Sequence, residues 1–293
     1  MKCSVIILNW NGAEMLRQYL PSVIAHTTLP DVEIIVADNG STDNSVAMLR
    51  SEFPTVRIIV LDRNYGFAEG YNRTIEQVAS DYVVLLNSDV EVTEGWLEPM
   101  LAYMDANTDV ASVQPKIRSY ANRRYFEHAG AAGGYVNALG YPYCRGRVLW
   151  KVEEDKGQYD TTVDVDWTSG ACMCVRTNVY KELGGLDASF FAHMEEIDLC
   201  WRMRNAGWRL VCLPQCTVYH LGGGSLHYDS PRKTYLNHRN NLVMIRKNMR
   251  FPWGVLCLRF FLDYATAFLY LAQGRPAAFK AVFQARRDYH KMV

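Results

Sequence analysis

The chain has 293 residues, 49% of them apolar, with 31 basic and 31 acidic side chains and no net charge. That length suits about two domains of ~150 residues, or one longer α/β unit, with enough apolar content for a sizeable core. Eight cysteines in a chain of this size exclude a small disulfide scaffold, and the start of the chain has no signal-peptide pattern, so reduced thiols and a cytoplasmic location are expected.

Residues 4–8 predict a first buried strand that ends at Asn9, Trp10, Asn11 and Gly12. A helix over Ala13–His26 follows, with Leu16, Tyr19, Leu20, Val23 and Ile24 on one face. Residues 32–37 predict a second strand, ending at Asp38, Asn39, Gly40, Ser41, Thr42 and Asp43. Ser41 or Thr42 can cap the next helix, which carries Val46, Leu49 and Phe53 and stops at Pro54. A third strand over residues 56–61 leads through Asn64, Gly66, Phe67, Gly70 and Asn72 into a helix reaching Ile75 and Val78.

Tyr82–Leu86 is an unbroken apolar run, the pattern of a strand buried on both faces of a parallel sheet. It stops at three polar residues, Asn87, Ser88 and Asp89. Strand and helix alternating at this spacing predict right-handed βαβ units and a mostly parallel α/β sheet. A helix over residues 96–105 and a strand over 110–115 come next. Residues 116–164 are rich in Gly, Tyr and Arg, with little periodicity, and read as long surface excursions of the kind that serve as lids or binding loops. Order resumes with a strand over residues 165–175, a short helix over 178–183 closed by Gly184 and Gly185, and a helix from Glu195 to Ala206 ended by Gly207. Residues 210–213 and 217–220 predict the last strands. Cys212, Cys216 and His220 recur every four residues, but Pro214 interrupts them and a fourth ligand is missing, which disfavours zinc.

Three strands end in polar clusters: Asn9 with Asn11, Asp38 with Asn39, and Asn87 with Ser88 and Asp89. Ligands of open α/β sheets bind beyond the carboxyl ends of the strands. There Asp38 can accept from a pyrimidine ring N–H, and Asn9 and Asn72 can read a base or a ribose. Gly66 and Gly70 permit close backbone approach. Asp89 can hold a divalent cation, and the cation a diphosphate. The same residue types also make ordinary turns, so the reading rests on their convergence. Neither a G-x-G-x-x-G fingerprint nor a P-loop is present, which disfavours hydride-transfer and P-loop chemistry.

Residues 5–11, 36–43, 64–68 and 85–89 resemble the successive motifs of family-two inverting glycosyltransferases. Residues 169–171, 184–187, 195–200, and His220 with residues 222–225, resemble the acceptor-side motifs of that family. The ordered set spans roughly residues 3–228 and is most similar to the rhamnosyltransferase-like branch that acts on cell-surface polysaccharides. The resemblance implies a GT-A fold, a nucleotide-diphosphate sugar donor, a glycan or lipid-linked acceptor, and a divalent cation, Mg or Mn. It places Asn9, Asn11, Asp38, Asn39, Asn64, Gly66, Phe67, Asn72, Asn87, Ser88 and Asp89 at the donor, with Asp38 on the nucleobase. Asp89 and His220 fall to the metal.

Two positions depart from the family pattern. The paired metal carboxylates are here Asn87 and Asp89, and the usual Glu-Asp pair is Glu195 and Glu196. Glu196 stands where the family has its catalytic Asp, the base that takes the acceptor's proton. Glu195 is the alternative base. Both, like Asp198, also suit a helix N-terminus. Trp167, Ser169 and Gly170 are the acceptor candidates, and Trp167 equally suits a core.

The zero net charge hides an asymmetry: residues 230–293 carry twelve Lys/Arg against two acids, or +10, and residues 1–229 carry −10. We divide the chain there into a catalytic domain, 1–229, and a basic helical extension, 230–293. Residues 251–272 are strongly apolar but broken by Pro252, Arg259 and Asp263, the last two spaced to pair on a helix. This predicts an interfacial amphipathic pair of helices on an anionic membrane surface, peripheral at the inner face of the cell membrane, rather than a membrane span. Packing on the body or in a homodimer is the alternative. No nucleic-acid motif accompanies the charge. The functional expectation is a metal-assisted inverting glycosyltransferase. Its rivals are a sugar nucleotidyltransferase, which would want a basic Gly-rich loop after the first strand, and a non-catalytic sugar- or lipid-binding module.

Overall fold

The computed structural model describes residues 1–128, 130–148, 151–222 and 230–292. The chain opens with β1 (Cys3–Asn9), α1 (Ala13–His26), β2 (Val32–Asp38), α2 (Ser45–Glu52), β3 (Arg57–Val60), α3 (Gly66–Glu76) and β4 (Tyr82–Leu86). These four strands lie parallel in the order β3-β2-β1-β4. β1 and β4, the inner strands, are buried on both faces, as their apolar runs require, while β3 is a partly exposed edge. Ile6, Ile35, Val83 and Leu85 face one core, and Val5, Ile7, Val36, Val84 and Leu86 face the other. The first core takes in Ala68, Tyr71 and Ile75 of α3. The second takes in Leu16, Leu20 and Val23 of α1 and Met48 and Leu49 of α2.

β5 (Val90–Val92), α4 (Glu98–Ala106) and β6 (Val110–Ser119) follow. The stretch expected to be irregular holds, among its described residues, five short strands, β7 (Gly134–Val136), β8 (Pro142–Cys144), β9 (Arg147–Val148), β10 (Lys151–Val152) and β11 (Val163–Asp164). Then come β12 (Cys172–Arg176), α5 (Thr177–Glu182), a single 3-10 turn at Ala188–Phe190, α6 (Glu195–Asn205) and β13 (Arg209–His220). The sheet continues past β4 as β4-β12-β6-β13-β11, with β5 also pairing β13.

That order explains one departure from expectation. The strand expected over residues 165–175 is cut to its last residues, β12, because β11 just before it pairs β13 while β12 lies between β4 and β6. The connecting residues must step across two strands and cannot themselves be a strand. The last two expected strands are instead one, β13. Its register against β6 shifts between Leu213 and Thr217, so Pro214 falls in a bulge, where a missing N–H costs no ladder bond.

Three helices close the chain, one more than expected: α7 (Pro231–Asn248), α8 (Pro252–Ala272) and α9 (Pro276–Tyr289). Each starts with proline, which needs no N–H partner in the first turn. α7 is a core helix: Leu242, Val243, Met244 and Ile245 are buried in the same cluster as α3 and α6. α8 is long and apolar enough to cross a membrane, and most of it is exposed. Its only charged residues, Arg259 and Asp263, point inward and meet Arg286 of α9, all three buried. Arg259 also donates to the Leu139 carbonyl at 3.1 Å and lies 3.7 Å from the centre of the Tyr141 ring.

Candidate active site

The carboxyl ends of β1 and β2 come together because the two strands pair in register, Asn9 opposite Asp38. Asn9 Nδ2 donates to Asp38 at 3.1 Å and to Ser41 Oγ at 3.3 Å. The second Asp38 oxygen accepts the Ser41 N–H at 3.0 Å. Asp38 is buried, and each of its oxygens keeps acceptor capacity for a ring N–H. Asn11 has a different task. Its Oδ1 accepts the N–H groups of Thr42 and Asp43, at 2.7 and 3.2 Å, so it stitches the loops after β1 and β2 together.

Asn39, Asn64 and Gly66 form one network: Asn39 donates to the Gly66 carbonyl (2.9 Å) and to Asn64 Oδ1 (3.2 Å), and Asn64 Oδ1 accepts the Gly66 N–H (2.8 Å). Gly66 has φ +78°, and a Cβ there would press on the Phe191 ring at 3.2 Å. Asn72 stands apart. It donates to the Leu186 carbonyl (2.7 Å) and accepts from the Tyr180 hydroxyl (2.7 Å) and the Leu186 N–H (3.0 Å), so its amide holds residues 180–186 rather than facing a ligand.

At the end of β4, Asn87 and Ser88 are half-buried and Asp89 is buried. Pairing of β5 with β13 sets Val90 opposite His220, which delivers the imidazole to Asp89. His220 Nε2 lies 3.1 Å from Asp89 Oδ1 and 3.3 Å from Asn87 Nδ2. On the other side of the ring, Glu127 lies 3.8 Å from Nδ1, an ionic approach too long for a hydrogen bond. Burial opposes charge on His220, but the Asp89 and Glu127 carboxylates outweigh it and raise its pKa to about 10. Burial likewise opposes ionisation of Asp89, and the His220 interaction still holds its carboxyl below the ordinary value. Without a cation the two carboxylates hold His220 as the imidazolium; on giving up that proton it would join the Asp89 carboxylate and the Asn87 amide oxygen as donors of the kind that Mg or Mn accepts. Glu127 sits where a carboxylate would orient a metal-bound histidine. Of the expected motif at residues 222–225, only Gly222 falls within the described residues. Among those residues no group of three His, Cys, Asp or Glu side chains forms a ready metal cluster, Cys212, Cys216 and His220 included.

The third part of the site is the start of α6. Phe191, His193 and Met194 have φ of 65°, 69° and 76°. This left-handed path delivers Glu195 and Glu196 to the interior. One oxygen of each carboxylate is buried without a hydrogen-bond partner. Burial first, then repulsion from Glu196, pushes the Glu195 carboxyl well up, and burial raises Glu196 as well. Glu195 is almost wholly enclosed, while Glu196 is half-buried. A Cβ added to Gly170 would sit 3.6 Å from Glu196 Cβ and Cγ and 3.7 Å from the tip of the Phe67 ring. Phe67, Gly170 and Glu196 are thus brought to one place.

Ser169 is buried, its N–H held by Gln114 at 2.9 Å and its Oγ accepting the Ala171 N–H at 3.3 Å. Trp167, expected either at the acceptor or in the core, is a core residue. It is 5% exposed, its Nε1–H donates to the Tyr135 carbonyl at 3.0 Å, and its ring lies flush on Gly134. Asp198, at the same helix start, is fully buried and held by Arg202, Lys247 and Asn248. Sequence reasoning missed Glu127, which lies in the stretch without periodicity, and Asn240, Lys247 and Asn248. The signal for the two asparagines was present: amides beside the apolar run 242–245 mark buried hydrogen-bonding positions.

A largely parallel sheet flanked by helices, with amide and carboxylate side chains gathered at its carboxyl edge, is the architecture of glycosyltransferases of the GT-A class. The family model described as Glycosyl transferase family 2 matches residues 4–184, and the chain belongs to that family. The N-acetylglucosaminyl-diphospho-decaprenol L-rhamnosyltransferase of Mycobacterium tuberculosis is 26% identical over 257 residues, 82% of this chain and 83% of the relative. Rhamnosyltransferase WbbL of Escherichia coli is 25% identical over 173 residues, 57% of this chain and 63% of that protein. Two solved glycosyltransferases share the fold. GalNAc-T7 with UDP, GalNAc and Mn2+ gives a TM-score of 0.66 at 18% identity, covering 99% of this chain and 54% of that chain. The Pyrobaculum calidifontis mannosyltransferase PcManGT with GDP-Man and Mn2+ gives 0.61 at 15% identity, covering 98% and 75%. The chain therefore spans about half the length of the GalNAc-T7 chain.

Proposed function

We propose that this glycosyltransferase moves a sugar, with inversion, from a nucleotide-diphosphate donor to a hydroxyl of a lipid-linked glycan precursor. The observation that carries the reading is that Phe67 and the half-buried Glu196 side chain both approach Gly170. It joins the donor side of the sheet to the acceptor side at a group able to take a proton. The acceptor oxygen attacks the anomeric carbon as the bond from that carbon to the diphosphate oxygen breaks. The nucleoside diphosphate leaves with the bonding electrons, and Glu196 takes the hydroxyl proton. A carboxyl pushed upward by burial is a stronger base than an exposed one, which suits this step.

Asp38 and Asn9 receive the nucleobase, and Asn11, Asn39, Asn64 and Gly66 shape the loops around it. Asn87, Asp89 and His220 would hold a divalent cation, with Ser88 beside them. When bound, that cation supplies positive charge against the departing diphosphate. Ser169 and Gly170 line the acceptor side. Asn72 positions the 180–186 turn, and Trp167 supports β7 from the core.

The rhamnosyltransferase relatives motivate the lipid-linked acceptor, and the extension suits it. Phe251, Trp253, Phe261 and Phe268 are each more than half exposed. The exposed part of α8 carries no charge, because Arg259 and Asp263 are turned inward. Arg250, Lys280 and Arg287 stand exposed around it. An apolar, aromatic strip with a cationic border is suited to lie in an anionic membrane interface. The charged residues of α9, to which α8 is locked, disfavour a crossing. We place the catalytic residues in 1–229 and the membrane contact in 230–293, at the inner face of the cell membrane. The test is release of nucleoside diphosphate from a panel of nucleotide sugars with a lipid-diphosphate glycan acceptor, with and without Mn2+. Acceptor-dependent release is expected. No release from any donor would leave only the non-catalytic binding module.

A further inference from the structure

Residues 190–194 run in a conformation that side-chain-bearing residues rarely hold. Three of the four non-glycine positive-φ residues among the described ones are here: Phe191, His193 and Met194. Such backbone persists only where its surroundings over-determine it. Because the segment immediately precedes Glu195 and Glu196, its path sets where both carboxylates emerge.

The restraint comes from α7. Asn240 is fully buried, and its single amide nitrogen donates to three carbonyls of the segment: Phe190 at 3.0 Å, Ala192 at 2.9 Å and His193 at 2.8 Å. Its Oδ1 accepts from Arg239 Nε at 2.8 Å, which orients the amide, and Arg239 itself donates to the carbonyls of Ser189 (3.1 Å) and Phe190 (3.0 Å). Farther along the same helix, Asn248 donates to Asp198 at 2.7 Å and Lys247 to Asp198 at 3.2 Å, gripping the first turns of α6.

We propose that Asn240 is a positioning residue for sugar transfer: it clamps residues 190–194 in their left-handed path and so sets Glu196 against the acceptor hydroxyl. The inference rests on Glu196 as the base. No other side chain reproduces the clamp. Asp offers no N–H, Ala offers nothing, and Gln places its amide one methylene too far.

The test compares Asn240→Ala and the milder Asn240→Ser with Asn241→Ala. Asn241 is also a buried amide of α7, but it donates to the Gly140 carbonyl, away from the segment. Each variant is first shown to be folded by circular dichroism. Asn240→Ala should lower kcat by ~10–100-fold, the scale of a misplaced catalytic group, with donor KM unchanged. Its pH–rate limb should also move toward the ordinary carboxylate range as the carboxylates gain water. The ionisable groups facing them, Cys200 on α6 and Tyr180 on α5, are untouched by the substitution. Asn240→Ser should fall between, and Asn241→Ala should lose thermal stability but keep kcat. A folded Asn240→Ala or Asn240→Ser enzyme with the wild-type kcat and limb overturns the clamp, as does an equal kcat loss in Asn241→Ala. Glu196→Gln run alongside separates the two readings. If it is inactive while Asn240→Ala is normal, the clamp alone fails. If it is fully active, the base assignment fails, and with it the role given to Asn240.

Discussion

Glu196→Gln isolates the proton transfer. It preserves the shape of a side chain whose stem faces Gly170, and it removes only the ability to accept a proton. Loss of a general base typically costs ~10²–10⁴ in rate, which corresponds to about 3–5 kcal/mol in the barrier. Donor affinity should hold, because Asp38 and Asp89 sit at other strand ends. The pH dependence adds a second reading. Burial raises the Glu196 carboxyl, so wild-type turnover should climb through a pH range above the ordinary value of about 4.3. The variant should show no such limb.

Stability runs the other way. A carboxyl raised in the folded state favours folding below its unfolded pKa, and that contribution is lost as pH rises through the folded value. Both Glu195→Gln and Glu196→Gln should therefore lessen the fall in melting temperature above about pH 4.3. Paired assays of kcat, donor Kd and melting temperature across pH check all three. Near-normal turnover in Glu196→Gln, with Glu195→Gln inactive, would falsify the assignment and exchange the two roles.

Other perturbations reach other parts of the account. Asp38→Ala and Asp89→Ala should both weaken nucleoside-diphosphate binding, but only Asp89→Ala should abolish its dependence on Mn2+, as calorimetric titration can show. Asp263→Ala would leave Arg259 and Arg286 buried without their carboxylate and should cost about 3–5 kcal/mol of stability, measured by denaturant unfolding. Gly134→Ala would put a methyl 2.0 Å from the Trp167 ring. Displacing that ring should cost ~1–3 kcal/mol or more, whereas Gly170→Ala, whose methyl would meet its nearest neighbour at an ordinary 3.6 Å, should fold normally. Removing residues 230–293 would also strip Leu242–Ile245 from the core, so membrane contact is better tested by Trp253→Asp with Phe261→Asp. That pair should release the protein from anionic vesicles in flotation. Undiminished binding would reassign the strip to a second copy, detectable as a dimer by sedimentation.

The parallel half of the sheet was legible because strands buried on both faces must be continuously apolar. Residues 5–8, 34–37 and 82–86 carry that pattern, and turn residues punctuate them. The antiparallel half was harder. Nothing local to residues 165–175 reveals that the chain must step over β6 and β13 on the way to β12. The carboxyl-end clusters were legible as a group, but their individual roles were not. Asn11 and Asn72 have the same chemistry as Asn9, and only the folded chain engages their amides with backbone. Glu127 reaches His220 through a fold-back of the 116–128 segment, a tertiary contact with no sequence period. The third C-terminal helix was announced by Gly274 and Pro276, a helix stop followed by a start.

The central claim is an inverting sugar transfer from a nucleotide-linked donor. The most direct measurement is the anomeric configuration of the product, read by NMR from a reaction with an accepted donor and a lipid-diphosphate glycan. A product anomer opposite to that of the donor is the predicted result. Retention of the donor's configuration would contradict single displacement with Glu196 as base.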